Sequence, residues 1–225
     1  MPEGAPLHIG VLGGTGEEGS GLALRWASAG HRVVLGSRSA EKAAQTAARL
    51  SQRIAPRRIE GATNREAAAR AEIVVLTVPY AAQRLTVDEV RGELSGKILI
   101  DVTVPLVPPR VSRVQLPEGG SAVEAMQKLL GGATRVVSAF QNVSAHYLSD
   151  LSRAIDCDVL VCGDDKDARE TVVRLATDAG LRGVHAGPLA NSAAAEALTS
   201  VLIAINRHYK VPAAGLRITG VFESR

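Results

Sequence analysis

The residues with the clearest chemical potential are the turn Gly14-Thr15-Gly16-Glu17-Glu18-Gly19 and the pair Ser37-Arg38 that follows it. Gly-x-Gly-x-x-Gly is weak alone, because a glycine turn can be purely structural. Here it directly follows an apolar run, Leu7 to Leu12, and opens a helical segment. That is the setting in which such a turn holds a dinucleotide pyrophosphate. Gly14 permits the tight turn, Gly16 lets the backbone approach the phosphates, and Gly19 lets the helix pack close to the strand. Thr15 and Glu17 lie between them, and the helix start offers free amides and a positive dipole.

Ser37 and Arg38 decide which dinucleotide. A site for NAD carries Asp or Glu at the tip of the second strand, accepting from the ribose 2′-hydroxyl. This chain has Gly36-Ser37-Arg38-Ser39, with arginine in place of an acid. Arg38 can pair bidentately with a 2′-phosphate that a carboxylate would repel, so the pattern selects NADP(H). Lys42, one helical turn on, adds a positive charge there or simply faces solvent.

The chain lacks an evident acid for carbonyl reduction. Tyr-x-x-x-Lys is absent: Arg84 follows Tyr80 at that spacing, Leu151 follows Tyr147 and Ala213 follows Tyr209. His146 and His185 are isolated, and isolated histidines are usually structural. A carbonyl reductase must donate to the developing alkoxide. The pattern therefore favours hydride transfer between two cofactor-like rings, with no catalytic side chain assigned. Cys157 and Cys162 read as free buried thiols on opposite faces of one strand, and no metal site is expected.

The elements that must position these residues are marked by short apolar runs alternating with helical periods. Strands are expected at Leu7 to Leu12, Arg32 to Gly36, Ile73 to Val78, Lys97 to Asp101, Arg135 to Phe140, Asp158 to Cys162 and Leu181 to His185. A helix from Glu17 to Ala29 ends at Gly30, and Ser39 caps one running to Ile54. Thr63-Asn64-Arg65-Glu66 and Ser121-Ala122-Val123-Glu124 both fit the capping box. Continuous Val/Ile/Leu strands separated by helices give an α/β fold, a Rossmann-type doubly wound, mainly parallel sheet. Residues 7–225 read as one NADP-binding domain, with 188–225 a C-terminal helix-plus-tail extension over the cleft or a dimer interface. The last apolar helix is expected over Ala190 to Asn206, and Val102 to Gly120, with four prolines, reads as a long functional loop.

Composition narrows the partners. The chain has 225 residues, 46% hydrophobic and 3% aromatic, and a net charge of +3. Its basic residues are dispersed, the densest cluster being Arg53, Arg57 and Arg58, so nucleic acid is not an expected partner. No run approaches the roughly 20 apolar residues of a membrane span, and Met1 to Pro6 has no signal-peptide pattern. The expectation is a cytoplasmic protein acting on small-molecule cofactor-substrates.

The chain also resembles the F420-dependent NADP reductases, which pass hydride between NADP(H) and the deazaflavin coenzyme F420. The resemblance runs through Ile9 to Gly16, Gly36-Ser37-Arg38, Val75 to Pro79 and Val136 to Phe140, then Val161 to Asp165 and Ala186 to Ser192. It implies a nicotinamide against Val78-Pro79, and a deazaflavin near Gln141, Asn142 and Val143 and near Leu189 and Asn191. It further implies direct ring-to-ring transfer without a general acid, a homodimer, and Arg110 or Arg113 facing the anionic F420 tail. Gln141 stands where some relatives carry histidine, and Tyr80 where tryptophan is usual. An NADP-dependent reductase of a flavin, imine or small carbonyl compound, and a non-enzymatic NADP(H) sensor, remain competing readings.

Overall fold

The computed structural model describes residues 5–54 and 59–221. Eight strands form one sheet in the order β3-β2-β1-β4-β5-β6-β7-β8. They are β1 (His8–Leu12), β2 (Arg32–Ser37), β3 (Ile59–Thr63), β4 (Ile73–Leu76), β5 (Ile98–Asp101), β6 (Arg135–Ser138), β7 (Asp158–Gly163) and β8 (Arg182–His185). All neighbours are parallel except β6 and β7. The helices are α1 (Glu17–Ser28), α2 (Ala40–Ser51), α3 (Asn64–Arg70), α4 (Tyr80–Val90), α5 (Ala122–Leu130), α6 (Ala145–Leu148), α7 (Lys166–Asp178) and α8 (Ser192–Tyr209). Two apolar layers cover the sheet, one under α1, α2 and α7 and the other under α3, α4 and α5. This is the doubly wound architecture the apolar runs predict.

The structure corrects several expectations. β3 has no counterpart in the sequence reading, because Ile-Glu-Gly-Ala-Thr is no apolar run. As an edge strand it buries only Ile59 and Ala62, and α2 crosses so closely that Gly61 has no room for a side chain. Three elements stop two or more residues short of expectation: β4 at Leu76, β6 at Ser138 and α2 at Ser51. Val78, Pro79 and Phe140 therefore lie in loops beyond the strand ends; Val78 and Pro79 open on a groove there, whereas Phe140 is buried. Cys157 precedes β7 rather than lying in it, and both cysteines are free and buried. Arg57 and Arg58 of the basic cluster, and residues 222–225 of the C-terminal extension, fall outside the described residues.

The capping boxes divide. At Thr63 the reciprocal pair with Glu66 forms as expected. At Ser121 the hydroxyl accepts from the Glu124 amide, but the returning carboxylate is not Glu124. It is Glu196 of α8, which accepts from the Ser121 hydroxyl at 2.6 Å, the Ala122 amide at 2.8 Å and the Val123 amide at 3.3 Å. A residue 75 positions downstream thus caps α5 and fastens α8 to it. No local pattern can show this. Burial pushes the Glu196 carboxyl up while these three donors pull the other way.

The β6–β7 junction is short. Only Val137↔Gly163 and Ser138↔Cys162 are paired, so β7 begins beyond the carboxyl edge of β6 and runs back toward it. Attachment is completed by α1: the Arg25 guanidinium reaches the main-chain oxygens of Leu148, Ala179, Tyr147, Asp150 and Arg153, and Trp26 Nε1 donates to Leu175 O. Desolvation lowers the Arg25 pKa, which the nearby Asp150 opposes. Three substitutions separate the roles of the acids. Glu196→Ala should cost about 3 kcal/mol, with Glu124→Ala within about 0.5 kcal/mol of the parent and Glu66→Ala between them. Urea-unfolding midpoints check the order.

Candidate functional site

The glycine turn is held on both sides. Gly14 N donates to Gly36 O at 3.0 Å, tying the turn to β2, and Gly16 N donates to Gly13 O at 3.1 Å. A side chain at Gly14 would meet Leu35 Cδ2 at 2.5 Å, and one at Gly19 would strike the Thr77 hydroxyl and Gly14 itself. These two glycines are therefore required by packing. Gly16 is different: a Cβ there finds nothing nearer than Gly13 O at 3.6 Å, so the protein leaves that side free. Gly16 is also the N-cap of α1 and supplies no side-chain cap, so the first helical amides point outward unclaimed by any cap.

These amides face a groove of about 480 Å3. Of the expected residues, Thr15, Gly16, Ser37, Arg38, Lys42, Val78 and Pro79 line it together. Ser39 accepts from the Lys42 amide as the cap of α2, placing Arg38 and Lys42 on one rim. Neither makes an ion pair among the described residues, so both charges remain available to an anion. Gly14 and Gly19 lie beneath the groove, and Glu17 is exposed beside it.

Among the further residues of the groove, five bear on its shape. Gly13, at φ +69°, turns the chain under Val78, whose Cγ1 would lie 2.5 Å from any side chain there. Asn64 Oδ1 accepts from the Gly13 amide at 3.2 Å and so sets the turn from the first residue of α3. The Thr77 hydroxyl donates to Leu12 O at 2.9 Å, bridging β4 and β1 under the turn. Leu85 and Glu89 of α4 line the opposite lip, Leu85 with 74% of its surface exposed. Gly13 was visible as the first of three clustered glycines; the others carry no local signal, since their roles are set by contacts across the sheet.

Asn142, Val143 and Leu189 do not line this groove. Leu189 is buried in the apolar layer with Leu12 and Leu76, and its amide is held by Asp164 Oδ1 at 2.9 Å. Asn142 and Val143 belong to a braced turn after β6. Phe140 there holds φ +73°, an uncommon conformation for a bulky residue, with its ring edge-on to Trp26 at 5.7 Å. Gln141 Nε2 donates to Asp101 O at 2.8 Å, the Thr199 hydroxyl to Gln141 O at 2.8 Å, and Asn142 Nδ2 to Ala195 O at 2.8 Å. Strain of this kind persists where neighbours over-determine it.

Under the turn lies a buried polar junction. Asp101 accepts from Gln83 Nε2 at 2.6 Å and from the Thr103 amide at 2.9 Å, while burial pushes its carboxyl up. The Thr103 hydroxyl stands beside the same carboxyl without aligned hydrogen-bond geometry. The Ser138 hydroxyl and Gln141 Oε1 are likewise buried without a partner. Ser138 is the register partner of Asp101, and Gln141 bonds its carbonyl, so these orphaned atoms surround one residue. Buried polar groups are normally paired, often through water.

Known proteins share both the sequence and the fold of this chain. The F420-dependent NADP reductase of Methanothermobacter thermautotrophicus is 44% identical over 96% of this chain and 97% of its own length. That of Methanocaldococcus jannaschii is 39% identical over 96% and 99%. The chain belongs to the F420-dependent NADP reductase family. A family model described as NADP oxidoreductase coenzyme F420-dependent matches residues 8–105, the half bearing the glycine turn, Arg38 and Val78-Pro79. A crystal structure of an Arthrobacter sp. FB24 protein assigned as an F420-dependent NADP reductase superposes with a TM-score of 0.76 at 26% identity, covering 95% of this chain and 99% of that one. An imine reductase from Bacillus cereus shares the fold alone, with a TM-score of 0.58 at 19% identity over 90% of this chain and 60% of that one.

A high-resolution diffraction map is expected to show ordered water bonded to Thr103 Oγ1, Ser138 Oγ and Gln141 Oε1. Asp101→Asn should destabilise by about 1–3 kcal/mol, because both carboxyl oxygens accept and an amide would face a donor with a donor. Thermal unfolding measures it.

Proposed function

We propose that this chain transfers hydride between NADP(H) and the deazaflavin coenzyme F420. The observation that carries the reading is the union, in one groove, of the uncapped start of α1 with Ser37, Arg38 and Lys42, in a chain 44% identical to an F420-dependent NADP reductase. The residues fit an NADP: free amides and the open face of Gly16 suit a pyrophosphate, and unpaired Arg38 suits a 2′-phosphate. Val78 and Pro79, at the carboxyl end of β4, would hold the nicotinamide.

When bound, the two cofactors supply the redox chemistry, a hydride leaving one ring for the other. The protein binds, aligns and dries the rings, which is enough for large rate gains when the geometry is fixed beforehand. The Phe140–Val143 turn, braced by Asp101, Ala195 and Thr199, would carry the acceptor side. Residues 188–225 would serve as the roof over the cleft, through α8 and its Glu196 clamp. Arg110 and Arg113 would face the anionic F420 tail, with Arg207 brought to the same loop by its bond to Ser112 at 2.9 Å. Val201, exposed on the apolar helix α8, supports a homodimer contact there, and two free thiols support a reducing, cytoplasmic setting.

Purified protein mixed with NADPH and oxidised F420 is expected to bleach the deazaflavin absorbance. Turnover of flavin mononucleotide or of an imine without turnover of F420 would establish the alternative reductase, and tight NADPH binding without any turnover the sensor. Arg38→Asp should raise the KM for NADPH by about 100-fold while changing that for NADH little, since a bidentate phosphate pair becomes a repulsion. Equal losses for both cofactors would show that Arg38 does not read the 2′-phosphate.

A further inference from the structure

The groove wall carries one buried amide that the reading above leaves half used. Asn64, the first residue of α3, is 2% exposed and lines the groove. Its side chain spans the seam between the glycine turn and the end of β2. On one side Oδ1 accepts from the Gly13 amide at 3.2 Å. On the other, a side chain at Gly36 would meet Asn64 Oδ1 at 2.9 Å and its Cα at 3.0 Å, so the asparagine fits there because position 36 is glycine. The Gly13 N–H can only donate, so the amide oxygen must face it and the amide nitrogen must face away. Nδ2 makes no hydrogen bond to any described residue and is not sealed from solvent. A buried side chain thus holds a free donor, in fixed orientation, at the wall of the nucleotide groove.

We propose that Asn64 Nδ2 donates a hydrogen bond to the phosphorylated ribose of NADP(H), at its 3′-hydroxyl oxygen or its 2′-phosphate, an assignment that rests on the NADP reading above. The covalent order of the cofactor carries the argument. The adenosine ribose is bonded to the 2′-phosphate on one side and, through its 5′ carbon, to the pyrophosphate on the other. With the pyrophosphate at the uncapped start of α1 and the 2′-phosphate at the Arg38 and Lys42 rim, the ribose must lie between them. The seam of Gly13, Gly36 and Asn64 joins those two places, since it ties the glycine turn to the strand that ends in Ser37.

The choice of residue type supports the same assignment. A site for NAD holds this ribose with an acid, which accepts from its hydroxyls. A ribose that carries a 2′-phosphate offers acceptors where NAD offers a donor, and a neutral amide N–H matches them. Setting the glycine turn accounts for Oδ1 alone. An aspartate would accept from the Gly13 amide at least as well, but it would bring a negative charge between two phosphate positions. Two other groove hydroxyls are already engaged within the protein: Thr77 donates to Leu12 O at 2.9 Å, and Ser37 accepts from the Ser39 amide at 3.2 Å. Arg38 and Lys42 supply charge from the rim, and Asn64 supplies direction from the wall.

The test follows the Asn64 side-chain amide itself by heteronuclear NMR of the full chain. Its pair of proton signals is identified by its absence from the spectra of Asn64→Asp and Asn64→Ala. Saturation with adenosine 2′,5′-bisphosphate, the adenosine end of NADP, should shift that pair and slow its exchange with water. Adenosine 5′-monophosphate at saturation then separates the two acceptors. The same response assigns the ribose hydroxyl, and its loss assigns the 2′-phosphate. A bound bisphosphate that leaves the pair unmoved would overturn the proposal. Binding gives a second readout. Asn64→Asp keeps the acceptor for Gly13 and loses the donor, so the dissociation constant for NADPH should rise about 30-fold while the thermal unfolding midpoint stays above that of Asn64→Ala. NADPH bound by Asn64→Asp within about twofold of the parent would also overturn it. If the parent binds neither the bisphosphate nor NADPH, the NADP reading itself falls, and this assignment with it.

Discussion

The closeness with which α1 approaches its neighbours sets the geometry of the whole cleft. Gly19 brings the helix against Thr77 of the β4 end, and Gly21 brings it against Leu148. A methyl group at either position would collide and push the helix away. The same helix starts at the phosphate-facing turn and ends by gripping α6, α7 and the segment between them through Arg25 and Trp26. The nucleotide side and the acceptor side are therefore referenced to one rigid body. Directional polar bonds fix the far end of that body, and absent side chains fix the near end.

Much of the nucleotide half was legible because its determinants are local. A glycine turn, the apolar strand before it and the residue type at the tip of β2 all lie within a few dozen positions, and each has its own steric or electrostatic reason. Asn64, Thr77 and Leu85 were not legible. Asn64 reaches the Gly13 amide from α3, and Thr77 supports the turn from β4, so their roles exist only once strands pair. The edge strand β3 escaped notice for a related reason. It is ordered by the ladder to β2 and by α2 lying over Gly61, not by an apolar run of its own.

The acceptor half shows the same limit more sharply. The Ser121-x-x-Glu124 spacing promised a local capping box, yet the carboxylate that completes it belongs to Glu196. A buried acid with three donors outcompetes a half-buried one that faces Lys128 instead. Gln141 and Asn142 were picked out by resemblance, but their partners, Asp101 of β5 and Ala195 and Thr199 of α8, come from elements distant in the chain. Tertiary polar networks of this kind leave no periodic trace in a sequence.

The two-residue pairing between β6 and β7 has a mechanical meaning. Four residues of β7, Asp158 to Val161, stand past the edge of β6, an overhang of roughly 13 Å at strand spacing. The sheet therefore does not stop level at its carboxyl side but rises there as a parapet, stiffened by β8 running parallel beside it. So short a ladder is a poor fixture by itself, and the parapet leans on α1 through Leu175 and Ala179 of the α7 region. A small tilt of α1 would carry phosphate cradle and parapet together, keeping the width of the cleft constant while its orientation to the rest of the sheet changes.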